Sequence, residues 1–220
     1  MEYSLSKLSE EEWKYILDKK SKVHIYKDLD IKKYIRYPGF VCNSEKQAKS
    51  YIEHIYHKYF TTVFTPPRGN ISTDLQYIVV GFAPGYSDLS RGESNWLLGP
   101  SSKILIELFV KFNIFPYFTN VFKSPFKNNK INYTSELLDK SISILIDEID
   151  FLFNTTTVIN LIFLGSYKEY DEVIKRLDNP LLKINKIWHP SYILRDNSKL
   201  LDYHERFKTI IDNSKEIRLL

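Results

Sequence analysis

From residue 76 onward the chain alternates short apolar runs with stretches of helical spacing, and that alternation leaves few folds open. The runs are QYIVVGF (76–82), YFTNVF (117–122), TVINLIFLG (157–165) and LLKINKIW (181–188). The first and third are continuously apolar, which suits strands buried on both faces. Between and after them, SSKILIELFVKF (101–112), SELLDKSISILIDEIDFLF (135–153), SYKEYDEVIKRL (166–177) and roughly 198–213 carry helical spacing. A Ser cap opens the first of these, and Ser166 with Glu169 suggests a capping box for the third. Strands separated by helices imply a mostly parallel sheet with helices on both faces. The expected fold class is α/β, a three-layer α/β/α sandwich around a central, mostly parallel four-stranded sheet.

The chain has 220 residues, the size of one domain with a small addition. Residues 1–64 read as an N-terminal helical region packed on the core, and 65–220 as the α/β domain. A first helix follows Ser9, with Glu12 completing a capping box. A second follows Ser44 to about Phe60, with Tyr51, Ile52, Ile55, Tyr56 and Tyr59 at helical spacing. YPGF (37–40) reads as a turn, and TPPRGN (65–70) breaks the second helix.

Composition excludes more than it selects. Apolar residues make up 43% of the chain, enough to build a core rather than a disordered segment. The net charge of +4 permits phosphate binding without demonstrating it. A single cysteine, Cys42, cannot form an intramolecular disulfide, a cysteine-based zinc site or an iron–sulfur cluster. His54 and His57 stand at i, i+3 without a third ligand, the pattern of a solvated helix face. Neither a metal nor a cofactor is therefore expected. The opening MEYSLSKLSEEEW has no apolar signal region, and no run of about 18 apolar residues occurs. The expectation is an intracellular protein of cytoplasm or nucleus, including a viral protein in an infected cell, with no membrane partner.

In open parallel sheets, ligands bind beyond the carboxyl ends of the strands. That rule singles out the loop after Phe82, the end of YFTNVF, and the HPS segment after Trp188. Motifs stand at all three places. GFAPG (81–85), LLGPSSKIL (97–105), TNVFKSP (119–125) and HPSYILR (189–195) follow one another in order. Together they resemble the motifs of the uracil-DNA glycosylase superfamily, nearest to its iron–sulfur, thermophile-type branch, over about residues 76–212.

The resemblance implies a base rotated out of DNA into a pocket, because chemistry cannot reach a base inside a duplex. Asn120 would read the base, its amide offering both a donor and an acceptor; a strand-end Asn equally bonds its own loop. His189 would donate to the uracil oxygen on which charge builds as the glycosidic bond breaks, stabilising the transition state more than the ground state. Backbone N–H groups near Phe82 and Ala83 would assist. Gly85 would let the backbone approach the ligand closely. Leu97 holds the position that usually packs on the base, with Trp96 or Tyr86 as alternatives. Ser191 and Arg195 would contact phosphate. Lys123, Lys127 and Lys130, in and beside FKNNKINY (126–133), would track a DNA strand, although an ordinary polar loop reads the same way.

Two departures from the branch stand out. Its first motif usually carries an acid that positions or activates water; here that position is Phe82. Asp88, a few residues on, is the nearest replacement, and equally a loop residue bonding its own backbone. The branch's four cluster cysteines are also missing. The expected function is a DNA glycosylase acting on uracil or a related pyrimidine. A non-hydrolytic subunit that binds DNA or a modified base is the alternative, as is a viral base-modification enzyme on the same scaffold. The expected partners are single- or double-stranded DNA, together with replication or repair proteins, for a monomeric chain.

Overall fold

A computed structural model describes residues 35–37, 40–56, 68–84, 100–123, 126, 130–153 and 158–216. Strand β4 (Tyr77–Gly81) lies at its centre and is buried along its whole length. It pairs in parallel with β5 (Tyr117–Asn120) on one side and β6 (Ile159–Leu164) on the other, and β6 pairs in parallel with β7 (Leu182–Ile187). These four strands are the parallel sheet expected from the sequence. Three short strands extend it beyond β5: β1 (Ile35–Tyr37), β2 (Phe40–Cys42) and β3 (Arg68–Asn70). The full order is β1-β2-β3-β5-β4-β6-β7, seven strands in one sheet.

Because successive strand residues face opposite ways, the apolar runs divide into two cores. Ile78 and Val80 of β4 and Leu161 and Phe163 of β6 pack on one side. That side is covered by α1 (Glu45–Tyr51) and by α3 (Ser135–Leu152) and α4 (Glu169–Arg176), through residues such as Tyr51, Leu145 and Tyr170. Tyr77 and Val79 of β4, with Ile162 and Leu164 of β6, face the other core. There α2 (Pro100–Lys111), α5 (Pro190–Arg195) and α6 (Leu200–Glu216) supply Phe109, Ile193 and Phe207. The result is the α/β/α sandwich expected. Among the described residues no helix is long and apolar enough to cross a membrane.

Several local readings change. Residues 35–37 and 40–42, on either side of the turn read at YPGF, form β1 and β2, with Tyr37 opposite Phe40. Residues 35–56 are thus not helical throughout, and Phe40, Cys42, Ala48, Tyr51, Ile52 and Ile55 belong to the same core cluster as β4. Ser44 does cap α1, accepting from the Gln47 N–H, but α1 ends at Tyr51 and a π-helical turn (Ile52–Tyr56) continues it. The Ser166–Glu169 capping box is not formed: Lys168 is the N-cap of α4, without a side-chain bond. Glu169 instead accepts a hydrogen bond from the Tyr133 hydroxyl. The helix read after Ser9 lies outside the described residues, as does His57. His54 stacks on Phe151 and meets Asp147 at 3.4 Å.

The join between β3 and β5 depends on one glycine. Gly69 has φ +113°, and a Cβ there would lie 2.3 Å from the Pro116 carbonyl oxygen. Both the backbone conformation and the space exclude a side chain. Gly69→Ala is expected to lower stability by about 2–3 kcal/mol, read as a reduced urea midpoint with an unchanged slope.

Candidate functional site

The carboxyl ends of β5, β4, β6 and β7 form one rim, with Asn120, Phe82–Pro84, Gly165 and His189 following one another along it. Asn120 and His189 therefore lie on the same edge, as expected from the motifs. Two strands separate theirs, so their backbones stand about 14 Å apart at the usual strand spacing.

Asn120 is the last residue of β5 and only 4% exposed. Its backbone is fixed on both sides. The β4–β5 ladder sets Gly81 opposite it, and the next N–H, that of Val121, donates to the Gly81 carbonyl at 2.9 Å. Its own carbonyl accepts from the Lys123 ammonium at 2.7 Å. Its side-chain amide has no hydrogen-bond partner among the described residues. Although the residue is largely buried, neither polar atom of that amide is sealed from solvent: among the described residues the buried side-chain polar atom left without a partner is the Tyr203 hydroxyl, so the amide is open to a partner from outside.

Lys123 does not do what its place in a polar loop predicts. It was expected to reach DNA phosphate; instead it is largely buried and ion-paired to Glu148, which is wholly buried. All three ammonium hydrogens are committed, to Glu148 Oε2, to Thr119 Oγ1 at 2.7 Å and to the Asn120 carbonyl. Glu148 also accepts from Thr119 at 2.9 Å and from Tyr117 at 3.4 Å, and Tyr117 meets the Tyr51 hydroxyl. Burial pushes the Lys123 pKa down and that of Glu148 up, each opposed by the attraction between them. Removing one partner of such a pair costs about 3–5 kcal/mol, so Lys123 is not available to solvent. The sequence did carry a signal for this: Glu148 falls on the stripe Ile142, Leu145, Ile149 and Leu152 that α3 buries.

His189 ends the loop after β7 and caps α5. Its Nδ1 accepts from the Ser191 N–H at 3.2 Å and meets the Ser191 hydroxyl at 2.7 Å. An accepting Nδ1 places the proton of the neutral ring on Nε2, leaving an N–H donor there. The local backbone bond expected of a lone histidine is thus present, and it fixes the tautomer. Gly165, at φ +98°, lies beneath: a Cβ there would be 3.7 Å from that of His189 and only 2.9 Å from the Tyr167 ring. Ser191 was expected to turn its N–H and hydroxyl toward phosphate, but both are spent on His189. Arg195 is exposed on the last turn of α5, with Nε donating to the Ser191 carbonyl at 3.3 Å. Lys130 is exposed.

Phe82 turns its ring into the core, where it is 5% exposed. It stacks on Tyr167 at 4.0 Å and meets the edge of Phe122 at 5.2 Å, with Phe126 and Tyr170 beyond. The residue expected to contact the base can therefore offer only its backbone at the rim; Ala83 beside it is half-buried. Reading the motifs missed Tyr192 and Leu194, which α5 leaves 38% and 44% exposed beside His189. Trp188 braces this helix, lying 5.3 Å from Tyr192 and under the Arg206 guanidinium at 4.4 Å. Gly85, Asp88, Trp96, Leu97 and Lys127 lie outside the described residues, as does Tyr86. Among the described residues no group of three or more His, Cys, Asp and Glu side chains could hold a metal ion.

No family model matches the chain, and no curated protein does. Of the solved structures, 24 chains match. One of them is wild-type SMUG2 from Pedobacter heparinus, 18% identical, with a TM-score of 0.42 over 91% of this chain and 100% of that one. A likeness of that size does not fix a function.

Burial, and next the Arg195 charge, hold the His189 pKa below its ordinary value. Between the folded and unfolded values the unfolded chain binds more protons, so stability rises with pH across that window. The contribution is complete above about 6.5, the ordinary histidine value, and is lost as pH falls through the depressed folded value. His189→Asn keeps a capping side chain but cannot titrate. Urea midpoints at pH 7.5 and 5.5 are expected to fall further in the wild type than in this variant.

Proposed function

We propose that the protein is a DNA glycosylase of the uracil-DNA glycosylase type, hydrolysing the N-glycosidic bond of uracil or a related pyrimidine flipped out of DNA. The observation that carries this reading is the unpartnered amide of Asn120 on the same rim as a histidine whose tautomer leaves Nε2–H as a donor. A gap of about 14 Å between their backbones is one that two side chains and a pyrimidine between them fill. The amide matches the mixed donor and acceptor edge of uracil. The imidazole N–H meets an oxygen that gains charge as the sugar–base bond breaks, where a preorganised donor counts most. Tyr192 and Leu194, exposed beside His189, suit insertion between base steps, with Arg195 and Lys130 set to meet phosphate.

The ring of Phe82 favours a second reading. Enclosed by Tyr167 and Phe122, that position can neither hold nor polarise a water. Unless Asp88, or a water held by the backbone, completes hydrolysis, the site binds a flipped base without hydrolysing it.

Single-turnover base release separates the two. His189→Ala is expected to slow release at least about tenfold, or 1.4 kcal/mol, with little change in DNA affinity. Asn120→Ala should slow release and also weaken discrimination against other bases. Asp88→Asn should slow release if that carboxylate activates water. Replacing Lys130 and Arg195 with Ala should flatten the plot of log K against log salt by about 0.9 per phosphate on duplex DNA. A wild-type protein that binds DNA but frees no base from any substrate establishes the second reading. Release indifferent to His189→Ala removes the chemistry from this rim.

A further inference from the structure

We infer that Lys123 and Glu148 form a positioning device that sets base selectivity by fixing the amide of Asn120; this rests on the reading of Asn120 as the base-contacting residue. A selective amide must point in one direction, because rotating it exchanges donor for acceptor. Its backbone sets the place from which that amide is presented to the rim. The peptide unit joining Asn120 to Val121 is held at both ends: the Val121 N–H by the Gly81 carbonyl, and the Asn120 C=O by the Lys123 ammonium.

The ladder with β4 supplies the first restraint, and any strand end would have it. The second is made by a side chain. It requires a cation that cannot swing into solvent, and Glu148 provides that by holding Lys123 from inside the core. Thr119, the residue before Asn120, is tied into the same group through its hydroxyl, which accepts from Lys123 and donates to Glu148. Two consecutive residues of β5 are thereby pinned to α3. Tyr117 and Tyr51 close the far side of the carboxylate, so Glu148 has no route to water. Lys123 touches no base in this arrangement. It acts through Asn120.

The test replaces the pair rather than half of it, because apolar residues of similar volume can take the place of a buried ion pair at little cost, whereas a single deletion strands a charge. The variant is Lys123→Met/Glu148→Met, with thermal unfolding to confirm that it folds. Two readouts follow. The first is the ¹⁵N-detected side-chain amide of Asn120, identified by its loss in Asn120→Ala. The second is the ratio of single-turnover rates on uracil and thymine in the same DNA sequence. The expected result is a shifted and broadened Asn120 amide signal and a ratio lowered about tenfold or more, in keeping with the cost of a small misplacement. DNA affinity should keep its salt slope, since Lys123 meets no phosphate.

An unchanged amide signal overturns the inference. So does a steeper loss of salt dependence than folding explains, which would return Lys123 to the DNA surface. If the double variant does not fold, Glu148→Gln keeps an acceptor for Thr119 while removing the charge that retains Lys123; the same changes are expected, smaller, and their absence is again decisive. A wild-type protein that releases no base sinks the glycosylase reading. The amide signal still reports whether the pair holds Asn120, so the two failures are distinguishable.

Discussion

A carboxylate sealed inside a protein has to be bonded on every side, and Glu148 organises one end of this molecule by that requirement. Its partners come from three elements: Lys123 from the turn after β5, Thr119 and Tyr117 from β5 itself, and Tyr51, through Tyr117, from α1. Helix α3 therefore cannot slide along the sheet without stranding a charge, and the end of β5 is fixed relative to both. Burial of this kind adds little net stability, since a well-packed apolar substitute does as well. What it adds is registration: the observed position of the helix against the strand satisfies all these groups at once.

The opposite end of the rim is built by different means. Here the backbone is ordered by a glycine and a capping ring. The Gly165 N–H donates to the Ile187 carbonyl at 2.7 Å, so the last residue of β7 is tied to the turn leaving β6. The chain then passes directly into Trp188 and His189. Between these two ends, β4 delivers Phe82 into an aromatic group that joins the end of β4 to the turns after β5 and β6. The middle of the rim is thus apolar beneath.

The sandwich and its rim could be read from the sequence because they depend on short apolar runs alternating with helical spacing, four of each. That Asn120 and His189 share one rim was legible for a related reason: each lies at or just past the end of a strand that the pattern defines. The remaining features turn on meetings between distant segments. β1, β2 and β3 have three residues each, too few to show an alternation, and they become strands only by pairing with one another and with β5. Lys123 reads as a solvent lysine until Glu148 is placed opposite it. Glu148 itself was detectable as an acid on an apolar stripe, but its partner was not. Phe82 reads as a lost acid, and only the convergence of Tyr167, Phe122 and Phe126 shows a ring with a packing role of its own.

The bond between His189 and Ser191 bears on the proton inventory of the rim. An imidazole whose Nδ1 accepts from a helix N–H cannot also be an imidazolium, because the second proton would occupy the lone pair that starts the helix. The ring can polarise an oxygen but has no acidic hydrogen to surrender at neutral pH. On the glycosylase reading proposed above, a base departing from beside it would leave as an anion and take its proton from water.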